Sequence, residues 1–150
     1  MSLVRLAYVS TSLLADDPNE RRHIADILLT SRRNNEESEV SGALLATDRG
    51  FAQVLEGERD AVEATYGRIA RDRRHKDIVL TLYESIEARK FPDWGMAYIG
   101  PSQSAEDAVA RVTRSVPPSK SGQAARQLVT FMSQILTQDD RADAILPAAE

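Results

Sequence analysis

The chain contains no cysteine. Disulfide staples, thiolate metal centres and cysteine nucleophiles are therefore excluded, and stability has to come from packing. No apolar run approaches the roughly 20 residues that span a bilayer. Nor does a basic segment followed by an apolar one mark the amino terminus for export. These absences predict a cytoplasmic protein with no membrane contact. Excess positive charge is missing as well. Nineteen Lys and Arg stand against 23 Asp and Glu, for a net charge of −4, which argues against direct nucleic-acid binding while leaving room for a local basic patch. Repeats and low-complexity tracts are absent, and no metal site is expected. The two histidines, His23 and His75, fall at opposite ends of different predicted helices, which argues against an acid–base pair.

What is present suits one ordinary domain: 150 residues, 42% hydrophobic and 28% charged, enough chain for a proper core. Residues 3–10 read as a strand apolar on both faces, with Val4, Leu6 and Tyr8 on one and Leu3, Ala7 and Val9 on the other, so a central strand is expected. Asp17, Pro18 and Glu20 form a capping pattern for a first helix. Ile24, Ile27, Leu28 and Ser31 make its buried stripe, Asn35 continues it, and Arg32 and Arg33 stand near the expected end. Residues 40–47 and 50–57 read as a hairpin. A second helix follows, with Asp60 and Glu63 as its capping pair and Val62, Tyr66 and Ile69 on one face. Residues 77–86 read as a fourth strand and residues 94–99 as a fifth, on which Trp94, Met96 and Tyr98 share a face.

Strand, helix, hairpin, helix, strand, strand describes an α+β ferredoxin-like sandwich: a five-stranded mixed sheet with two helices on one face. The other face needs cover, and the tail supplies it. A short helix over 104–115, started by Ser104 and Asp107, presents Val109, Val112 and Val116. A break follows at 117–122, then a helix over 123–138 with Leu128, Phe131, Met132 and Ile135 at helical spacing. That stripe is either sheet cover or an interface. Residues 142–150 read as a frayed end. The expected division is a domain over 1–100 and a helical extension over 101–150 that serves as cap, oligomerisation element and output.

The residue that calls most for a chemical reason is Gln53. Strand alternation points it the same way as Phe51 and Leu55. A buried amide without partners costs roughly 1–3 kcal/mol. Taken alone, it is satisfied either by backbone or water at a core edge, or by a buried polar ligand. Tyr8 and Asn35 pose the same question, each a polar group on an apolar stripe.

Six segments, in order and at consistent spacing, carry a resemblance: Arg5-Leu6-Ala7-Tyr8-Val9-Ser10, Ser31-Arg32-Arg33-Asn34-Asn35, Val40-Ser41-Gly42-Ala43-Leu44-Leu45, Phe51-Ala52-Gln53-Val54-Leu55-Glu56-Gly57, Asp72-Arg73-Arg74-His75 and Arg89-Lys90-Phe91-Pro92-Asp93-Trp94-Gly95-Met96. Over residues 3–99 the chain resembles the BLUF domains, flavin-binding blue-light sensors of bacteria. The resemblance implies a flavin held without a covalent bond between the two helices. FAD is the usual chromophore, though FMN or riboflavin can occupy such sites. It implies that Tyr8 donates an electron and a proton to the excited flavin, and that Gln53 rearranges its hydrogen bonds by rotation or tautomerisation. Trp94 and Met96 would lie beside Gln53 and report the change. Asn35 would hold the imide edge of the ring and Asn34 the ring or ribityl chain. Arg74, His75 and Arg32 would face the pyrimidine carbonyl side or the phosphate tail, with Ile24, Leu28 and Ser31 completing the helix wall. A photoreceptor rather than an enzyme is implied, one that signals through the fifth strand and the tail to an unidentified downstream protein, as a homo-oligomer of two or more chains.

Two rivals use the same residues. An acylphosphatase-type enzyme on this topology would recruit Arg32 or Arg33 with Asn34, but those residues sit at a helix end rather than in a glycine-rich phosphate loop, and no activated nucleophile accompanies them. A ligand-free adaptor would use only the apolar tail helix. Bound colour separates the three.

Overall fold

A computed structural model of the protein describes residues 2–114 and 118–138. Strand β1 (Leu3–Ser12) is followed by helix α1 (Glu20–Ser38), the hairpin β2 (Ser41–Ala46) and β3 (Gly50–Glu58), helix α2 (Arg59–Ala70), strand β4 (His75–Ile86) and strand β5 (Ala97–Ile99). Helices α3 (Gln103–Thr113) and α4 (Pro118–Gln138) complete the order. The five strands form one mixed sheet in the order β4-β1-β3-β2-β5. Only β5 runs parallel to its neighbour β2. Split crossovers through α1 and α2 put β1 and β3 at the centre, the ferredoxin-like arrangement with one added edge strand. Gly42 allows the hairpin strands to approach, since a Cβ there would lie 2.0 Å from the Val54 carbonyl oxygen.

Both faces of the central strands are buried, as the two-sided apolar pattern of β1 predicts, while the edge strand β4 leaves Val79, Leu80 and Tyr83 exposed. On one, Val4, Leu6, Tyr8, Leu44, Phe51, Leu55 and Met96 pack with Ile24 and Leu28 of α1 and Val62 of α2. On the other, Ala7, Val9, Leu45, Val54, Leu82 and Phe91 pack under Ala105, Ala108 and Val112 of α3 and Leu128, Val129, Met132 and Leu136 of α4. The tail is therefore sheet cover, with Phe131 and Ile135 only partly buried at its margin. Among the described residues, no helix is long and apolar enough to cross a membrane.

Several expected boundaries move, each for a local reason. The capping pattern at Asp17 does not start α1: its carboxylate accepts from the Asn19 N–H at 2.7 Å, closing an Asx turn, and α1 begins only at Glu20. Nor does α1 end at Asn35. It runs another turn to Ser38 and stops where Glu39 adopts left-handed backbone, φ 57°, its N–H bonded to the Asn35 carbonyl. Arg32 and Arg33 thus precede the last turn. Glu58 rather than Asp60 occupies the cap of α2, without a side-chain bond. Strand β4 gains His75 and Lys76, paired with Ser12 and Thr11.

Strand β5 is half the expected length. Residues 94–96 precede it, and the carbonyls of Gly95 and Met96 are taken by side chains of α1 rather than by β2. Trp94 and Met96 therefore do not share a face: Trp94 packs with the α3–α4 core and Met96 with the α1–α2 core. Ser102, not Ser104, caps α3, accepting from the Ala105 N–H at 3.1 Å. Helix α4 already begins at Pro118, so the expected break at 117–122 lies largely inside helix. Val116 and the frayed end at 142–150 lie outside the described residues.

One feature of the α3–α4 face has no counterpart in the apolar pattern. Glu56, 0% exposed, accepts from Arg5 Nε at 2.7 Å and from the backbone N–H groups of Lys90 and Phe91 at 3.0 and 2.9 Å. Arg5 also reaches Glu84, which meets Arg126 of α4 at 3.2 Å. The buried carboxylate is tolerable because every donor facing it is spoken for. It ties β3 to the segment leading into β5.

Candidate functional site

Antiparallel register sets Tyr8 directly opposite Gln53, and Leu44 opposite Gln53 on the other side. Residues facing each other across a ladder point the same way, so three neighbouring strands present Leu44, Gln53 and Tyr8 side by side. The helices α1 and α2 do not close over them. Between the helices lies a cavity of ≈ 240 Å³ lined by Tyr8, Leu44, Phe51 and Gln53 from the sheet. Ile27, Thr30, Ser31, Asn34 and Asn35 line it from α1, and Thr65, Arg68, Ile69, Asp72, Arg74 and His75 from α2 and the segment after it. Its walls are aliphatic and aromatic in the middle, carry amides at one side, and carry charge toward the α2 end.

At the amide side, the Tyr8 hydroxyl donates to Gln53 Oε1 at 2.6 Å. Gln53 Nε2 in turn donates to Met96 Sδ at 3.3 Å. Both Tyr8 and Gln53 are 3% exposed. Burial, followed by the neighbouring Tyr66 and the Asp72 carboxylate, pushes the Tyr8 phenol far above its ordinary range, so it remains a donor at any physiological pH. Rings of Tyr66 and His75 flank Tyr8, each centroid 5.9 Å away. Asn35, 1% exposed, donates through Nδ2 to the Gly95 carbonyl at 2.7 Å and borders the cavity as well. An amide retains a second N–H and an acceptor oxygen beyond one such bond. That is the donor-plus-acceptor pair needed by a cyclic imide, which offers N–H flanked by C=O.

At the charged end, Asp72 and Arg74 neutralise each other through paired contacts of 2.6, 2.9 and 3.2 Å. The Arg74 bond holds the Asp72 carboxyl below the usual range and raises the Arg74 guanidinium. His75 is satisfied at both nitrogens. Nε2 meets the Ile69 carbonyl at 2.8 Å, and since a carbonyl only accepts, the proton is on Nε2 and Nδ1 accepts from Ser10 Oγ, 2.8 Å away, in the neutral ring. His75 therefore offers a ligand its ring, not its nitrogens.

Of the twelve residues singled out from the sequence, Tyr8, Gln53, Ser31, Asn34, Asn35, Arg74 and His75 line the cavity. Met96 stands one bond behind Gln53. Ile24 and Leu28 are buried in the core beneath, without bordering the cavity. Arg32 leaves α1 on another side, with Nε donating to the Met96 carbonyl at 2.8 Å. Of the two arginines the acylphosphatase-type rival could recruit, Arg32 is thus engaged away from the cavity that Asn34 borders. Trp94 lies across the sheet. Sequence reasoning passed over Ile27, Thr30, Leu44, Phe51, Thr65, Arg68, Ile69 and Asp72 as site residues. A signal for most of them was there. Residues 27, 30, 31 and 34 of α1, and likewise 65, 68 and 69 of α2, each follow the spacing of one helix face.

The residues fit an isoalloxazine-type group: an apolar cavity whose lining adds the amides of Gln53, Asn34 and Asn35, which suit an imide edge, and the guanidinium groups of Arg68 and Arg74, which suit an anionic tail. Comparison with known proteins agrees. The family model described as BLUF, sensors of blue-light using FAD, matches residues 3–97. Photoactivated adenylate cyclase subunit alpha of Euglena gracilis is 36% identical over 89 residues, covering 59% of this chain and 8% of that protein. The chain thus spans less than a tenth of that relative's length. Among solved structures, BlrB, a BLUF protein in its dark state, superposes with a TM-score of 0.74 at 28% identity, over 90% of this chain and 98% of that one. The ground state of BlsA gives a TM-score of 0.66 at 30% identity, over 73% and 72%.

Proposed function

The chain belongs to the BLUF family, flavin-binding sensors of blue light that use FAD, and from that premise we propose that Tyr8, Gln53 and Met96 form its light-responsive relay. Bound flavin supplies absorption of blue light and, when excited, a strong oxidant. Everything else is the work of side chains already in place. Tyr8 would give an electron to the excited flavin and pass its proton along the 2.6 Å bond to Gln53, and both would return to Tyr8 as the amide settles, leaving no net redox change. Gln53 is the pivot, since its oxygen faces Tyr8 while its nitrogen faces the Met96 thioether. Turning or tautomerising the amide exchanges donor for acceptor at one end and alters what Met96 meets at the other. Asn35 holds the imide edge, Asn34 and Ser31 line the α1 wall, and Arg68 and Arg74 stand toward the tail, with FMN or riboflavin as alternative occupants.

The same reading treats residues 1–100 as the sensing domain and 101–150 as the output extension. It places the receptor in the cytoplasm, as a homo-oligomer that hands its signal from β5 through α3 and α4 to a separate protein. The packing of β5, α3 and α4 in one core supports that route.

The observation that carries the proposal is the buried Tyr8–Gln53–Met96 chain at the wall of a cavity that also holds Asn35. The test is a visible absorption spectrum of the flavin-loaded protein before and after blue light. A small reversible red shift is expected. Protein that takes up no flavin when supplied with it, or a bound flavin whose spectrum light leaves unchanged, overturns the proposal.

A further inference from the structure

The three residues between the turn at Phe91 and strand β5 are held in an unusual way. Their carbonyls accept one by one from different parts of the molecule: Trp94 from the Gly42 N–H of β2 at 2.9 Å, Gly95 from Asn35 Nδ2 at 2.7 Å, and Met96 from Arg32 Nε at 2.8 Å. No ladder fixes this stretch, because the β2–β5 pairing starts only at Ala43 opposite Ala97. Two of its three anchors are side chains of α1, and only that of Arg32 is charged. Charge strengthens a guanidinium–carbonyl bond, so Arg32 is a strong pin even though the neutral Asn35 contact is the shorter, 2.7 against 2.8 Å.

Met96 is thus gripped at both ends, its thioether by Gln53 and its carbonyl by Arg32. Its side chain is 0% exposed and surrounded by a close-packed core, where rotamer changes meet neighbours at once. Once the Gln53 amide turns, its oxygen comes to face the sulfur. Two acceptors then oppose each other, and with the side chain confined the strain falls on the backbone at residue 96. Resting on the light-receptor reading above, we propose that the Arg32–Met96 carbonyl bond is a latch, closed in the dark and opened by the Gln53 rearrangement, which makes Arg32 the positioning residue that lets residues 94–96 adopt two discrete arrangements. Arg32 touches neither Tyr8 nor Gln53 in this scheme. It acts through Met96, and through Met96 on the start of β5.

The chain has three methionines, at positions 1, 96 and 132, which makes the latch directly readable. Flavin-loaded protein labelled with 13C at the methionine carbonyl is measured by light-minus-dark infrared spectroscopy, with Met96→Leu identifying the band of residue 96. In the native protein that band is expected to move to higher wavenumber in the light, as the carbonyl loses its charged donor. In Arg32→Leu it is expected at the higher position already in the dark and immobile on illumination, while the visible red shift of the flavin persists. Arg32→Lys, which keeps a cationic donor, is expected between the two and serves alone if Arg32→Leu does not fold. A normal visible shift with an unmoved Met96 band in the native protein overturns the latch, as does a band that behaves identically in native and Arg32 variants. Absence of the visible shift in the native protein overturns the receptor reading itself.

Discussion

Replacing Glu56 by Gln is the sharpest test of how this fold holds its sensing strand, and the structure allows its cost to be worked out. Three donors converge on the carboxylate: Arg5 Nε at 2.7 Å, Phe91 N at 2.9 Å, and Lys90 N at 3.0 Å from both oxygens. An amide of the same shape offers one acceptor oxygen in place of two. If the amide NH₂ replaces Oε2, it faces Arg5; if it replaces Oε1, it faces Phe91. Either way a donor is orphaned, in a site with no exposed surface. As a charged partner the Arg5 guanidinium then has Glu84, 3.3 Å away. Breaking a buried, hydrogen-bonded ion pair from one side costs about 3–5 kcal/mol, a large part of the 5–15 kcal/mol typical of a whole domain. For a chain of this length that corresponds to a drop in Tm of about 6–20 °C. Urea and thermal denaturation followed by circular dichroism read it. Adding Arg5→Met to Glu56→Gln should recover part of the loss, because it removes the stranded charge. A Glu56→Gln protein within about 1 kcal/mol of native would refute the reasoning.

Further outcomes are expected elsewhere. Gln53→Leu and Tyr8→Phe should each retain flavin but lose the light-induced red shift, since each breaks the relay between phenol and amide; a normal shift in either variant removes that residue from the mechanism. Asn35→Ala leaves the Gly95 carbonyl without its donor and the imide edge unpaired, costing roughly 1–3 kcal/mol, or about 10- to 100-fold in flavin affinity by titration; unchanged affinity contradicts the contact. Asp72 has its folded pKa depressed by Arg74. Its contribution to stability is thus present above the ordinary carboxylate pKa and lost as pH falls through the lowered value. Asp72→Asn should flatten that part of the acid limb of a stability–pH curve, and an unaltered limb counts against the pair. Phe131→Asp, at the half-buried margin of α4, should weaken self-association in sedimentation while sparing the flavin spectrum, whereas Leu128→Asp, 3% exposed, should unfold the tail; equal assembly of Phe131→Asp and native protein would place the contact elsewhere.

Much of the architecture is written in short-range pattern. The alternation of β1 declares two buried faces before any partner is known, Gly50 and Gly57 bracket the strand that carries Gln53, and the stripe from Ile24 to Asn35 marks the buried side of α1. Periodicity of this kind depends only on where consecutive side chains point, so it survives without tertiary information. Gln53, Tyr8 and Asn35 stand out by the same logic, as polar groups on apolar faces. Their chemistry requires partners, and the motif order around them narrows the partner to one family.

What the chain could not declare in advance are the choices made by residues far apart in it. Asp17, Pro18 and Glu20 satisfy every local rule for a helix start, yet a turn closed by the Asp17 carboxylate delays α1 to Glu20. Trp94, Met96 and Tyr98 alternate like a strand, but Asn35 and Arg32, about 60 residues earlier, take the Gly95 and Met96 carbonyls and turn Trp94 to the opposite core. Arg32, at first sight a solvated helix end or a phosphate ligand, becomes a backbone anchor. Glu56, placed within a strand motif, becomes the acceptor for a loop 34 and 35 residues further on. A hydrogen bond between distant residues is decided by which surfaces pack together in the folded chain. Pattern gives each residue its face, and only packing gives it its partner.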